Sequence, residues 1–278
     1  MVLTSPSVAA AIEAAEAHHL RQQVETWRAL GAADAHVVEI AGGVAAFTER
    51  LFGRKLNHVT GLGMRGPLEA DALATLEAAY AARGLGVEID LCPHAVPGVL
   101  GLLGRRGYAV NAFSNTYART LDDVPDRAVV EGGGVDVLQG AEADELFVEA
   151  SVAGFSVQAD TRPRELLEAL ARIALARDDT ALFVARIDGR VAGSAGLSIA
   201  ETPLGRVGEL YIASTLPECR ARGVQAALLR ARLAVAKAAG CALAVVMARP
   251  ANTSARNTER AGFGLAFTKA TFASRIAG

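Results

Sequence analysis

The sequence is poor in several features that mark common protein classes. Its three cysteines, Cys92, Cys219 and Cys241, are far apart and form no CxxC motif, which argues against a disulfide framework and a structural zinc site. No apolar run reaches about 18 residues, so we expect no membrane-spanning segment. The start of the chain lacks a basic region followed by an apolar one, so we expect no signal peptide and a cytoplasmic protein.

The net charge and the aromatic content are also low. A formal net charge of −2 over 278 residues argues against nucleic acid or a membrane surface as the main partner, because both attract a basic excess. Only 5% of the residues are aromatic although 51% are hydrophobic, alanine prominent among them, which favours closely packed helices. The length corresponds to one large or two ordinary domains of about 150 residues.

Helix and strand patterns recur in the same order in both halves of the chain. The strand, short helix and strand of residues 86–120 resemble those of residues 241–275, and each short helix ends in a glycine followed by an aromatic residue. The polar stretch 122–137 contains a proline and three consecutive glycines, which is typical of a boundary. We therefore predict a tandem duplication with a first domain at 1–125, a linker at 126–136 and a second domain at 137–278.

The stretch that carries most chemical information is Glu209–Ala226. A strand runs into a short loop that contains Arg220, Arg222 and Gly223, and the loop opens a long helix. Unpaired N–H groups and the helix dipole at such a helix N-terminus bind phosphate, and glycine permits close approach. From the loop alone, a plain strand-to-helix turn with solvated arginines is the alternative interpretation.

Arg220–Ala226 resembles the acyl-CoA pyrophosphate loop of the GNAT superfamily of N-acetyltransferases, whose pattern is Gln/Arg-x-x-Gly-x-Gly/Ala. Gln225 departs from that pattern, which expects glycine or alanine there. Residues 252–263 are similar to the family's later short helix that closes in Gly-Phe, and the element order fits over residues 135–275. The resemblance implies an α/β (α+β) fold of two tandem GNAT-like units, each a mixed, mostly antiparallel sheet flanked by helices.

The first of these units looks degenerate. Its loop position holds Met64–Pro67, where the proline removes a backbone donor, and Glu69 and Asp71 follow, where they would repel phosphate. We expect no cofactor there.

For the second unit, the resemblance implies that acetyl-CoA binds as a co-substrate in a splayed gap beside the strand 207–215. We expect no metal. For Asn252, capping of the following helix is the favoured alternative to cofactor binding. The residues assigned to the cofactor are Ala213, Ser214, Thr215, Arg220, Ala221, Arg222, Gly223, Val224, Gln225, Ala226, Asn252 and Asn257.

An amine must be neutral to attack a thioester, so the site needs a general base. By the resemblance Glu209 is the candidate base, and Tyr211 is a candidate acid because Thr258 stands where the family commonly has a tyrosine. Alternation along the strand puts both on the face that also carries Ala213 and Thr215, unless a bulge shifts the register. An exposed strand glutamate and a packed strand tyrosine are the alternatives.

These features predict an N-acetyltransferase that moves an acetyl group to a small-molecule or peptide amine by direct attack in a ternary complex. We expect a monomer or a homodimer. A non-catalytic acyl-CoA sensor or interaction protein on the same fold is the alternative, supported by Thr258 and Gln225. A Rossmann enzyme is disfavoured because no G-x-G-x-x-G motif follows the first strand.

Overall fold

The computed structural model describes residues 4–125, 134–158 and 162–274, and most of the predicted linker lies outside these ranges. Within them, no helix combines the length and the apolar character needed to cross a bilayer. The chain forms two compact units. Of the described residues, the N-terminal unit contains 4–116, 248–250 and 265–274, and the C-terminal unit contains those in 117–247 and 251–264.

The N-terminal unit combines β-strands with α-helices. Its elements are α1 (Pro6–Ala29), β1 (His36–Ile40), β2 (Gly43–Phe47), β3 (Val59–Thr60), α2 (Ala70–Ala81), β4 (Glu88–Leu91), α3 (Pro97–Arg105), most of β5 (Ala109–Thr120) and nearly all of β11 (Gly264–Ala273). The strand order is β1-β2-β3-β4-β11-β5, and β3 and β4 are parallel. Ser5 caps α1 by accepting a hydrogen bond from the N–H of Val8 at 3.2 Å.

The C-terminal unit contains the strands β10-β9-β8-β7-β6, which neighbour one another in that order. Only β9 and β10 are parallel; the other neighbours are antiparallel. Its elements are β6 (Val135–Gln139), α4 (Ala141–Phe155), α5 (Arg164–Leu175), β7 (Thr180–Ile187), β8 (Arg190–Thr202), β9 (Gly205–Thr215), α6 (Val224–Ala238), β10 (Cys241–Ala248) and α7 (Thr253–Arg260).

The dipeptide Asp188-Gly189 forms the turn between β7 and β8. Asp188 and Gly189 have φ angles of 51° and 75°, as a two-residue hairpin turn of type I′ requires. Aspartate and glycine tolerate the left-handed region, so the dipeptide sets the register of both strands.

The last strand is where the structure departs from the predicted domains. The sequence assigns residues 264–273 to the second domain, but β11 pairs antiparallel with β4, with Phe272 opposite Ile89 and Ala270 opposite Leu91. In the structure the last strand therefore lies in the N-terminal unit. Alternation in a sequence identifies a strand, whereas its partner depends on side chains that are far apart along the chain.

Those side chains are buried and charged. The ammonium of Lys269 on β11 lies 2.8 Å from Glu13 and 2.6 Å from Glu16, two carboxylates on one face of α1. Two residues further along β11, Thr271 donates to Asp90 of β4 at 2.6 Å. The inward face of β11 therefore complements the acidic face of its own unit, and this ionic cluster specifies where the strand lies.

Candidate functional site

The strand β9 is paired along both edges for only part of its length. It pairs with β8 from Gly205 to Thr215, but with β10 only from Arg206 to Glu209. Beyond Glu209 the two parallel strands no longer pair. A gap therefore opens beside the second half of β9, at the place where the resemblance puts acetyl-CoA.

A bulge distorts β9 at this gap. Ile212 has a φ of 45°, and the pairing with β8 shifts register between Ser194 and Gly196. A Cβ on Gly196 would lie 2.8 Å from the ring of Tyr211, and a Cβ on Gly154 of α4 would lie 2.1 Å from the Oγ of Ser214.

The bulge changes which residues share a face of β9. Tyr211 packs beside the buried residues of α4, and Ser214 contacts the same helix. Regular alternation would put residues three apart on opposite faces. The register therefore shifts, and Ser214 rather than the expected Ala213 lies on the face of Tyr211.

The loop after β9 exposes backbone donors at the start of α6. Ala221 and Gly223 have φ angles of 60° and 82°, and no side chain caps the helix. The first helical hydrogen bond runs from Ala227 N–H to the carbonyl of Gly223 at 3.0 Å. The N–H groups of the first three helical residues find no acceptor among the residues that the structure describes, and no acidic residue lies in the first turn. This arrangement suits an anion.

A cavity of about 1070 Å³ lies along this loop and is lined entirely by the C-terminal unit. Most of the predicted cofactor residues line it, namely Ala213, Ser214, Thr215, Arg220, Ala221, Gly223, Val224, Gln225, Ala226 and Asn257. The structure therefore brings the gap, the loop and α7 together around one space.

Two predicted cofactor residues do not line the cavity. The guanidinium of Arg222 lies 3.4 Å from the carboxylate of Asp188 in the hairpin turn. Asn252 caps α7 through its side-chain oxygen, which accepts from the N–H of Ala255 at 2.7 Å. The assignment of both to the cofactor is not supported by their positions, and for Asn252 the capping alternative is the one observed.

Three cavity-lining arginines were missed by the sequence analysis. They are Arg119 at the end of β5, Arg230 on α6 and Arg260 on α7. Arg230 follows Ala226 by four residues and therefore lies on the same face of α6. This spacing could have identified Arg230 from the sequence. Arg119 comes from residues assigned to the first domain, and only the fold reveals its place. No carboxylate is among the described residues that line the cavity, so its charged groups are all cationic.

Comparison with known proteins decides the family of this unit. The model of the acetyltransferase (GNAT) family matches residues 144–263, which include β9, the loop and α7. Residues 144–263 form a GNAT domain. No curated protein matches the chain.

Solved structures share the fold over most of the chain. A GCN5-related N-acetyltransferase from Kribbella flavida has a TM-score of 0.67 and 19% identity, with 98% of both chains covered. A tandem GNAT protein from the clavulanic acid biosynthesis pathway has a TM-score of 0.57 and 14% identity, with 85% of this chain and 78% of that chain covered. These likenesses confirm the predicted mixed α/β fold with mostly antiparallel sheets flanked by helices.

The predicted base of the GNAT domain is buried. Glu209 is 3% exposed and lies opposite Ser198 of β8, which in turn lies opposite Thr180 of β7. It sits at the last residue pair before β9 and β10 separate. Its side chain does not line the cavity described above, so the base role stays a prediction.

The predicted acid does not line the cavity, and its hydroxyl contacts strand β7. The hydroxyl of Tyr211 lies 3.1 Å from the Oγ1 of Thr180, and the guanidinium of Arg177 lies 5.7 Å from the ring centroid. Burial raises the pKa of Tyr211 to about 12. Thr258, at the position of the family's tyrosine, is buried as well.

The N-terminal unit fills the place that corresponds to the gap. After β3 the carbonyl of Gly63 accepts from the N–H of Val96 at 3.0 Å, and a Cβ on Gly63 would lie 2.7 Å from the side chain of Val99. The φ of 76° at this residue favours glycine. Backbone therefore occupies the space beyond the paired part of β3 and β4.

One cluster in the N-terminal unit has the composition of a metal site. Ligand atoms of Glu16, His58 and Asp90 lie within 4.8 Å of one another. Lys269 and Arg54 already contact the two carboxylates. Because the cluster contains its own cations, we assign it no metal.

Proposed function

We propose that the chain is an acetyl-CoA-dependent N-acetyltransferase whose active site lies in the C-terminal unit. The observation that carries the proposal is the cavity: it joins an uncapped helix N-terminus, several arginines and an unpaired strand edge. Backbone donors and arginines suit a diphosphate. An open strand edge suits the amide groups of pantetheine, which can pair with it as a neighbouring strand would.

In this proposal the residues of the site have separate roles in the reaction. Bound acetyl-CoA would supply the thioester, and a neutral amine would attack it directly within a ternary complex. Glu209 receives the proton of the amine, through water because its carboxylate lies off the cavity wall. The described residues that line the cavity include no tyrosine, so the thiolate leaves without a proton from Tyr211.

The acceptor in this proposal is a small-molecule or peptide amine. The first half of the chain is a duplicated unit that has lost the phosphate loop, and the filled space at Gly63 supports this interpretation. Its role is to contribute structure rather than a second cofactor site.

Calorimetry of the full chain with acetyl-CoA and with CoA tests the binding step. We expect both to bind with micromolar dissociation constants, as is usual for substrates of enzymes. Absence of heat at millimolar ligand, together with absence of any protection against thermal unfolding, would refute the proposal.

Substituting the candidate base separates catalysis from binding. Glu209→Gln is expected to lower kcat about 100-fold or more and to leave CoA affinity unchanged within about twofold, because it removes a proton acceptor and no cofactor contact. The effect is measured as the initial rate of thiol release and as the dissociation constant of CoA.

The matched control is Glu201→Gln, an exposed strand glutamate on β8 that pairs with Arg206 at 2.6 Å. We expect it to change neither quantity. If Glu209→Gln retains the wild-type kcat at every pH, Glu209 is not the base.

A non-catalytic acyl-CoA sensor is the second candidate, and one observation favours it. Neither Glu209 nor Tyr211 lines the cavity, and the described lining residues include no carboxylate. A thiol-release assay against a panel of amines separates the two functions. CoA binding without turnover of any amine in the panel supports the sensor.

A further inference from the structure

Two of the arginines that line the cavity lie outside the loop before α6. Arg230 on α6 and Arg260 on α7 are exposed, and they make neither an ion pair nor a hydrogen bond with the residues that the structure describes. Arg119 differs, because it donates to the carbonyl of Ala261 and forms an ion pair with Asp123 at 3.0 Å. The two unpaired guanidinium groups therefore remain available to a ligand.

Their place relative to the loop is set by helix geometry. Arg230 lies seven residues after Gly223, which is about 10 Å along the axis of α6. Side chains of a helix lean toward its N-terminus, so we expect the side chain of Arg230 to extend in the direction of the loop. Arg260, near the end of α7, approaches the same cavity from another wall. Arg230 therefore lies beyond the backbone donors of the first turn rather than among them.

The number of cationic groups exceeds what a diphosphate needs. The free N–H groups of the first turn of α6 and the side chain of Arg220 already suit two phosphates. Further unpaired arginines that line the same cavity suit another phosphate, such as the one on the ribose, since guanidinium binds phosphate in a bidentate manner. The positive charge is concentrated at this cavity, whereas the chain as a whole has a formal net charge of −2.

We propose that Arg230 and Arg260 bind the ribose 3′-phosphate of CoA and make the chain select CoA over 3′-dephospho-CoA. The inference rests on the proposed function, because it concerns the same cavity and the same cofactor. It adds the group on the nucleotide that is recognised and the two residues that recognise it.

Calorimetry of the full chain with CoA and with 3′-dephospho-CoA, at one ionic strength, tests this assignment. We expect the wild type to bind CoA about 10- to 100-fold more tightly, as charge-assisted hydrogen bonds predict. Arg230→Ala and Arg260→Ala should each weaken CoA binding about 5- to 10-fold. Neither should change the affinity for 3′-dephospho-CoA, and that unchanged affinity shows that the loop and the cavity are intact.

Arg256→Ala is the matched control, because Arg256 is an exposed arginine one turn before Arg260 that does not line the cavity. It should change the affinity for neither nucleotide. Equal binding of both nucleotides by the wild type overturns this inference and leaves the proposed function standing. So does a preference that survives in Arg230→Ala/Arg260→Ala. If neither nucleotide binds, the proposed function fails as well.

Discussion

Replacing Gly223 by aspartate is expected to weaken CoA binding by a factor of about 100 or more. An aspartate at the cap position of α6 accepts hydrogen bonds from the second or third helical residue, Gln225 or Ala226. Those are the donors that we assign to the diphosphate, and the new carboxylate would also repel it. No atom lies within 4 Å of a Cβ at Gly223, so the side chain fits.

The same substitution should have little effect on folding, because the two consequences for the helix oppose each other. The φ of 82° costs a side chain about 1–2 kcal/mol, whereas a capping aspartate recovers about 1 kcal/mol. Calorimetry with CoA and chemical unfolding of the same sample measure both effects. Wild-type CoA affinity in the Gly223→Asp variant would show that this loop does not hold the diphosphate.

Gly223→Asn is the control that isolates the charge. Asparagine tolerates the left-handed backbone and accepts from the same donors, but it is neutral. We expect a loss of CoA affinity of about 10-fold, between the wild type and the aspartate variant. If the two variants lose equal affinity, the lost donors rather than the carboxylate charge account for the effect.

Local signals in the sequence predicted much of the C-terminal unit. Asp188 and Gly189 predict their hairpin because the two residues alone determine the backbone that the turn needs. The loop before α6 is predicted because a glycine and an uncapped helix start are features of neighbouring residues. Ten of the residues expected to bind the cofactor line one cavity for this reason.

Features that depend on distant residues could not be predicted in this way. The residue type of Ile212 does not indicate a bulge at that position. The bulge nevertheless places Ser214, and not Ala213, on the same face of β9 as Tyr211. Arg222 has the charge that phosphate requires, but an aspartate on a hairpin 34 residues earlier attracts it. Residue type suggests a contact with phosphate, and only the fold shows that Arg222 pairs with Asp188 and does not line the cavity.

The position of β11 illustrates the same limit at the level of the whole strand. The contact that fixes it joins Lys269 to Glu13, 256 residues earlier in the sequence. A lysine in a strand ordinarily indicates a solvent-facing position. Only the acidic pair on α1, spaced three residues apart, makes burial of this lysine favourable.

Replacing Lys269 by methionine should therefore destabilise the N-terminal unit by about 3–5 kcal/mol, because it leaves two carboxylates in a buried site without their cation. Lys269 is 1% exposed, and its ammonium contacts Glu13, Glu16 and Thr60. Burial alone would lower the pKa of Lys269, but the surrounding carboxylates raise it above its usual range. Urea unfolding, followed by far-UV circular dichroism, measures the loss.

The loss should depend on pH. Burial raises the pKa of Glu13 from 4.5 to about 7, although Lys269 opposes this shift. A carboxyl whose pKa is higher in the folded state reduces stability as pH rises from the unfolded pKa to the folded one. Without Lys269 the folded pKa rises further, so the fall in stability extends above pH 7. The variant should thus differ from the wild type least near pH 5 and most near pH 8.

Two further variants separate charge from packing. Lys55→Met changes an exposed lysine and should alter the unfolding free energy by no more than about 0.5 kcal/mol. Glu13→Gln added to Lys269→Met removes one of the two carboxylates and should restore part of the lost stability, since neighbouring charges are not additive. An equal loss at pH 5 and pH 8, with no recovery in the double variant, would mean that Lys269 stabilises the unit through the packing of its methylene groups. If the double variant instead regains part of the unfolding free energy, the stabilisation comes from the ion pair between Lys269 and Glu13. That ion pair would then be the contact that holds β11 in the N-terminal unit.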